Sequence, residues 1–274
     1  MTTRLDTRFK DLKAANRTAL VTYIMASDPD HETCLEILKG LPAAGADVIE
    51  LGFPFSDPMA DGVSIQLAAQ RALKAGGSLR KTLELAKRFR ETNADTPLIL
   101  MGYANPIESM GYEAFAAAMH DAGADGVIIV DLPPEEDGPL RAAFAAHELS
   151  IIRLATPTTD EKRLTKVLEG ASGFLYYVSV AGVTGTNAAT SEAVRAAVAR
   201  LKGATDLPIA VGFGVRTPEA ARAIGETADA VVVGSAFVDE IAAGGTEAAQ
   251  RVLRKVRELS EAAHSARAKE GHPA

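Results

Sequence analysis

Short apolar runs rich in β-branched residues alternate along the whole chain with longer stretches of helical spacing. The runs fall at Leu20–Ala26, Asp47–Gly52, Pro97–Gly102, Gly126–Asp131, Ser150–Ala155, Gly173–Ser179, Pro208–Gly212 and Ala230–Gly234. Each has the length and bounding turn residues of a buried strand. Between them, apolar positions recur at helical intervals in His31–Leu41, Leu79–Thr92, Tyr112–Ala122, Pro139–Glu148, Glu161–Leu168, Glu192–Leu201 and Pro218–Ile224. Strand then helix, repeated throughout, predicts a parallel sheet, because parallel neighbours need a crossover to return the chain.

Three connections echo one another: Ala43-Ala44-Gly45-Ala46-Asp47, Asp121-Ala122-Gly123-Ala124-Asp125-Gly126 and Gly225-Glu226-Thr227-Ala228-Asp229. In each the pattern predicts a helix stopping near a glycine and an aspartate leading into the next strand. Eight such units suit a closed (β/α)8 TIM barrel better than an open doubly wound sheet, which for nucleotides would carry a glycine fingerprint after its first strand. Here that strand ends Ala26-Ser27-Asp28-Pro29. The expectation is an α/β chain with one barrel over residues 1–262, an extra N-terminal helix, and a short flexible C-terminal tail over 263–274.

Composition narrows the class. The 274 residues are 47% hydrophobic, enough for a full core, and the net charge of −7 with dispersed Lys and Arg indicates neither a nucleic-acid groove nor a polybasic membrane patch. The single cysteine, Cys34, excludes an internal disulfide framework and sits in an apolar helical pattern. A reduced, cytoplasmic setting fits. No apolar stretch has the length of a membrane span, and the N-terminus lacks a secretory pattern.

A barrel places its chemistry at the C-terminal ends of its strands. The five histidines, His31, His120, His147, His264 and His272, all fall in helical stretches or the tail, which disfavours a histidine base or a histidine-bound metal there. No lysine ends a strand. Carboxylates remain: Asp28, Glu50, Asp57, Asp61 and Asp131. Asp28-Pro29 and Asp131-Leu132-Pro133-Pro134 read as turn or cap residues. Glu50, inside an apolar run where a carboxylate is costly to bury, and Asp61, on the turn-rich segment after it, are the better acid/base candidates. On the other side of the mouth, glycines follow three successive strands, in Ser179–Asn187, Gly212–Val215 and Gly234–Ala236. Such glycines let backbone N–H groups approach an anion, and a helix opening at Ser235 would point its positive end at the same place.

The segment Glu50-Leu51-Gly52-Phe53-Pro54-Phe55-Ser56-Asp57-Pro58-Met59-Ala60-Asp61-Gly62 resembles, together with Gly182-Val183-Thr184-Gly185, Val211–Pro218 and Gly234-Ser235, the α subunits of tryptophan synthase. The resemblance covers roughly Leu5 to Leu259. It implies cleavage of indole-3-glycerol phosphate to indole and glyceraldehyde 3-phosphate, without metal or organic cofactor, in tryptophan biosynthesis. It further implies Glu50 as acid/base, Asp61 on the indole nitrogen, and Tyr176 near the acid/base. Gly185, Gly214, Gly234 and Ser235 would hold the phosphate, Tyr23, Leu100 and Phe213 would line the substrate site, and Thr184 would belong to a mobile loop. The implied partner is a pyridoxal phosphate-dependent β subunit in an αββα heterotetramer, which receives the indole and condenses it with serine. Ser27 stands where the family commonly has glycine, and the segment around Arg267-Ala268-Lys269 has no assigned role.

The chemistry suits a site without lysine or metal. Protonation of indole C3 turns the ring into the electron sink, Asp61 can stabilise charge at the ring N–H, and loss of the glycerol hydroxyl proton completes a retro-aldol cleavage. Two alternatives stay open at this point: another phosphate-binding barrel such as a sugar-phosphate isomerase, and a partner-activating barrel with little activity of its own. The segments Phe53–Asp61 and Gly182–Ala189 are expected to move with ligand, so that a surface including Asp57, Pro58, Asn105 and Asp131 senses occupancy.

Overall fold

The computed structural model describes residues 2–179, 187–212 and 214–268, apart from the side chains of 187–191. The chain opens on α1 (Arg4–Ala14), followed by β1 (Ala19–Met25), α2 (His31–Gly40), β2 (Val48–Gly52), α3 (Val63–Lys74) and α4 (Leu79–Arg90). It continues through β3 (Leu98–Gly102), α5 (Ala104–Met110), α6 (Tyr112–Asp121), β4 (Gly126–Ile129), α7 (Gly138–Ala145), β5 (Ser150–Ile151), β6 (Arg153–Ala155) and α8 (Glu161–Leu168). The last third is β7 (Leu175–Val178), α9 (Asn187–Lys202), β8 (Ile209–Gly212), α10 (Pro218–Gly225), β9 (Ala230–Val233), α11 (Ser235–Ala242) and α12 (Ala248–His264).

All strand pairs are parallel, in the order β5-β4-β3-β2-β1-β9-β8-β7-β6. The two ends of that order are consecutive in the chain. The run Ser150–Ala155, expected as one strand, is split at Ile152, whose N–H bonds the Val127 carbonyl while β6 turns to pair with β7. The barrel therefore closes through that one crossing. Among the described residues no helix is long and apolar enough to cross a membrane.

Strand alternation sorts the core into two layers. Inward-facing Val21, Val48, Ile99, Ile128, Ile152, Ala210 and Val232 fill the barrel, and Leu5, Phe9 and Leu12 of α1 join the same cluster. Outward-facing Leu20, Ile24, Ile49, Leu51, Leu98 and Val127 pack under α2, α4, α6 and α12. Helix α1 begins with a capping box, Thr3 and Asp6 satisfying one another's backbone N–H groups. Packing continues past residue 262: His264 Nε2 lies 2.7 Å from an Asp47 carboxylate oxygen, and Arg267 reaches the Gly225 and Ala228 carbonyls.

The echoed connections share their aspartates more than their glycines. Gly123 follows the C-cap of α6 with φ +73°, and Gly45, with φ +107°, closes the turn that follows α2. Gly225 is the last residue of α10 and has no positive φ. It lies beneath the C-terminal segment, where an added Cβ would come within 2.8 Å of the Ala266 Cβ, so its small size serves packing.

Candidate active site

Glu50 is the middle residue of β2, and the alternation that turns Ile49 and Leu51 outward turns Glu50 into the barrel mouth. It is 1% exposed, and its Oε1 has no hydrogen-bond partner among the described residues. Burial pushes its carboxyl up to about 8, so the group is mostly protonated at neutral pH. Tyr23, its register partner on β1, and Tyr176 on β7 face it. Burial raises both phenols well above their usual value, with the Glu50 charge adding to each and the Asp61 charge adding to Tyr23. Both rings need glycine beside them: a Cβ at Gly52 would collide with the Tyr23 hydroxyl, and one at Gly212 with that of Tyr176.

Asp61 sits on the loop between β2 and α3. Burial raises its carboxyl to about 6, against a lowering hydrogen bond from Tyr103. The same Tyr103 hydroxyl accepts the Ala60 N–H at 3.0 Å, and its ring lies 5.2 Å from that of Phe55. Two carboxyls at one mouth are thus pushed to different values by different surroundings, the pattern by which sites divide acid and anion roles. A cleft beside them is lined by Tyr23, Met25, Phe53, Asp61, Met101 and Tyr103. Tyr103 escaped sequence reading, although an aromatic residue directly after the strand ending at Gly102 was a usable signal.

Leu100 is not in this cleft. It is fully buried in the outer layer, paired in register with Leu51 and Val127, while its neighbour Met101 points to the mouth. Side chains alternate along a strand, so a shift of one residue exchanges the two faces.

The opposite side of the mouth is formed where β8 and β9 end. Gly214 has φ +71°, Gly234 is the N-cap of α11, and Ser235 is its first residue, so first-turn N–H groups are aimed at the opening. Arg216 donates to Asp239 at 2.6 Å. Thr184, Gly185 and Phe213 lie outside the described residues.

Asp28 and Asp131 have structural work. Asp28 is fully buried and accepts both Nε and Nη2 of Arg71 at 2.8 Å. Asp131 accepts the Ala104 N–H at 2.8 Å, at the start of α5. Ser27 adopts φ +65°, the left-handed region that glycine enters freely.

The tryptophan synthase alpha chain family model matches residues 9–268. The chain belongs to that family. A tryptophan synthase alpha chain of Caulobacter sp. (strain K31) is 60% identical over 267 residues, covering 96% of this chain and 97% of its own. That of Caulobacter vibrioides (strain NA1000 / CB15N) is 57% identical over the same length. Tryptophan synthase subunit alpha from Legionella pneumophila str. Paris has a solved structure with TM-score 0.88 and 40% identity, covering 96% of this chain and 98% of that one. A Mycobacterium tuberculosis tryptophan synthase structure matches with TM-score 0.88 and 34% identity, covering 96% and 99%. As a tryptophan synthase alpha chain, the protein is a carbon–carbon lyase of tryptophan biosynthesis, cleaving indole-3-glycerol phosphate to indole and glyceraldehyde 3-phosphate. The isomerase alternative falls with that assignment.

Proposed function

We propose that Glu50 and Asp61 carry the cleavage, with Glu50 as the proton-exchanging group. The observation behind this is the Glu50 carboxyl: buried, with Oε1 unpartnered, and raised to about 8. Such a group enters the reaction as an acid. It protonates indole C3, the ring becomes iminium-like, and the resulting carboxylate then takes the proton of the glycerol hydroxyl as the carbon–carbon bond breaks. Asp61, largely ionised above its value of about 6, faces the developing positive charge at the indole N–H. Tyr176 and Tyr23 hold the desolvated surroundings that keep Glu50 protonated, with Met101 in the lining place expected of Leu100 and Phe213 as a further wall.

The phosphate is assigned to the backbone N–H groups of Gly185, Gly214, Gly234 and Ser235, with Thr184 in a loop that closes over the substrate. The partner reading is a β subunit in an αββα heterotetramer that receives the indole, in the cytoplasm. The surface around Asp57, Pro58, Asn105 and Asp131 is the expected contact.

The test is cleavage of indole-3-glycerol phosphate by the purified chain, with and without a β subunit. Glu50→Gln should remain folded, bind substrate and lose nearly all turnover. Turnover by that variant at the wild-type rate would remove Glu50 from the mechanism. A β subunit that neither binds the chain nor changes its rate would remove the partner.

A further inference from the structure

Asp61 is carried by an exposed loop. Ser56, Asp57 and Ala60 are open to solvent and Met59 is 80% exposed, so burial does little to fix this segment. Among the described residues, two side chains from beyond the segment bond its backbone. The Tyr103 hydroxyl accepts the Ala60 N–H at 3.0 Å, and the Gln66 side-chain amide donates to the Asp61 carbonyl at 2.8 Å. The Asp61 N–H is met within the segment, by the Pro58 carbonyl at 3.1 Å.

The Asp61 N–H and carbonyl bonds lie on either side of one Cα. A peptide unit is planar, so fixing the N–H orients the unit before Asp61 and fixing the carbonyl orients the unit after it. Both backbone torsions of Asp61 are then set, and with them the direction of its Cα–Cβ bond. The second of these bonds depends on Gln66. Gly62, the N-cap of α3, has no side chain to fasten the junction between loop and helix.

The helix makes a firm anchor. The Gln66 N–H bonds the Gly62 carbonyl at 3.0 Å, so the residue's backbone is part of α3. That helix is held to the barrel by Ala68, Ala69 and Ala72, buried in one cluster with Tyr23 and Met25 of β1. Farther along, Arg71 clamps the fully buried Asp28 through two parallel hydrogen bonds of 2.8 Å. We propose that Gln66 is a positioning residue for Asp61: its amide extends the rigidity of α3 to the Asp61 carbonyl and so aims the carboxylate at the indole N–H. A carboxylate free to swing would face the ring only part of the time, and water would screen its charge for the rest.

This inference rests on the role given to Asp61 above, and one experiment keeps the two apart. Turnover of indole-3-glycerol phosphate is measured across pH for the purified chain, Gln66→Met, Gln66→Ala, Asp61→Asn and the double variant Asp61→Asn/Gln66→Met, with thermal melting to show that each is folded. Gln66→Met keeps the length of the side chain and a good helix former but removes the donor, and Gln66→Ala repeats the test with the side chain cut back. In both, kcat should fall about 10-fold while KM changes less than about threefold. Released toward water, the Asp61 carboxyl should titrate below the value of about 6 that burial gives it, so the acid limb of kcat/KM should move to lower pH. A smaller folded fraction would lower the rate and leave that limb where it is. The double variant should lose no more than Asp61→Asn alone, because Gln66 acts through Asp61. An unmoved acid limb or undiminished kcat in the Gln66 variants, or additive losses in the double variant, would each overturn the proposal. Turnover at the wild-type rate in Asp61→Asn would instead overturn the role of Asp61, and this inference with it.

Discussion

The Asp125 carboxylate accepts the backbone N–H of Leu98 at 2.7 Å, joining the start of one strand to the start of its neighbour. Asp47 does the same for Leu20 at 2.9 Å, and Asp229 for Ile209 at 3.0 Å. Each is the aspartate of an echoed connection, and each also receives cations: Arg4 and Arg90 on Asp125, Arg8 and Arg17 on Asp47, Lys202 and Arg267 on Asp229. The repeat is a device at the N-terminal face of the barrel, where a carboxylate satisfies a strand's leading N–H and is itself neutralised.

Burial ranks these aspartates. The Asp125 side chain is 5% exposed and its partner Arg90 11%, against 28% for Asp229 and 39% for Lys202. Asp125→Ala leaves a buried N–H and a desolvated guanidinium unpaired and should cost about 3 kcal/mol. Asp229→Ala should cost about 1 kcal/mol. Urea unfolding of the two variants checks the order, and equal losses would contradict it.

The activity profile should be bell-shaped. The acid limb follows ionisation of Asp61 near 6, and the alkaline limb follows loss of the Glu50 proton near 8. Asp61→Asn should abolish the acid limb and leave a small residual rate. Measuring kcat/KM across that range decides it, and an acid limb that persists in the variant would assign the limb elsewhere.

Stability carries the same signature. The folded Glu50 carboxyl titrates near 8 and its ordinary value is 4.5, so between these the folded state binds more protons than the unfolded one. Wild-type stability should therefore fall, through this group, as pH rises from about 4.5 to about 8, and reach its full loss above that. Glu50→Gln, which cannot ionise, should be the more stable protein at alkaline pH, with the advantage vanishing in acid. Denaturation at several pH values tests the sign.

Phosphate affinity should not depend on Arg216, whose guanidinium is committed to Asp239. Arg216→Ala is expected to change glycerol 3-phosphate binding less than threefold, about 0.6 kcal/mol. Gly234→Val should abolish that binding, because a Cβ there already lies 3.2 Å from the Tyr23 Cβ and a branched side chain would fill the opening. Calorimetric titration of both variants distinguishes backbone from side-chain recognition.

Ser27→Gly should stabilise the fold by up to about 1 kcal/mol, since glycine meets the positive φ without Cβ strain. Part of the gain is offset by loss of the 3.4 Å contact between Ser27 Oγ and His31 Nδ1. Thermal melting reads the sign.

The alternation of short apolar runs with helical stretches determined the barrel: both depend on local side-chain order, and eight such units in sequence admit few topologies. Glu50 was legible for the same reason, since a carboxylate inside an apolar run announces its own cost. Faces and partners were decided only in three dimensions. Leu100 and Met101 are adjacent and both apolar, and only the register of β3 shows which one reaches the mouth. Tyr103 gained its place by meeting a loop that lies over forty residues earlier in the chain, and Arg71 by meeting Asp28 across a similar gap. The echoed aspartates looked like strand punctuation, yet the N–H each one satisfies belongs to the neighbouring strand. Hydrogen bonds and burial depend on which segments the closed barrel brings together, and spacing along the chain carries no record of that.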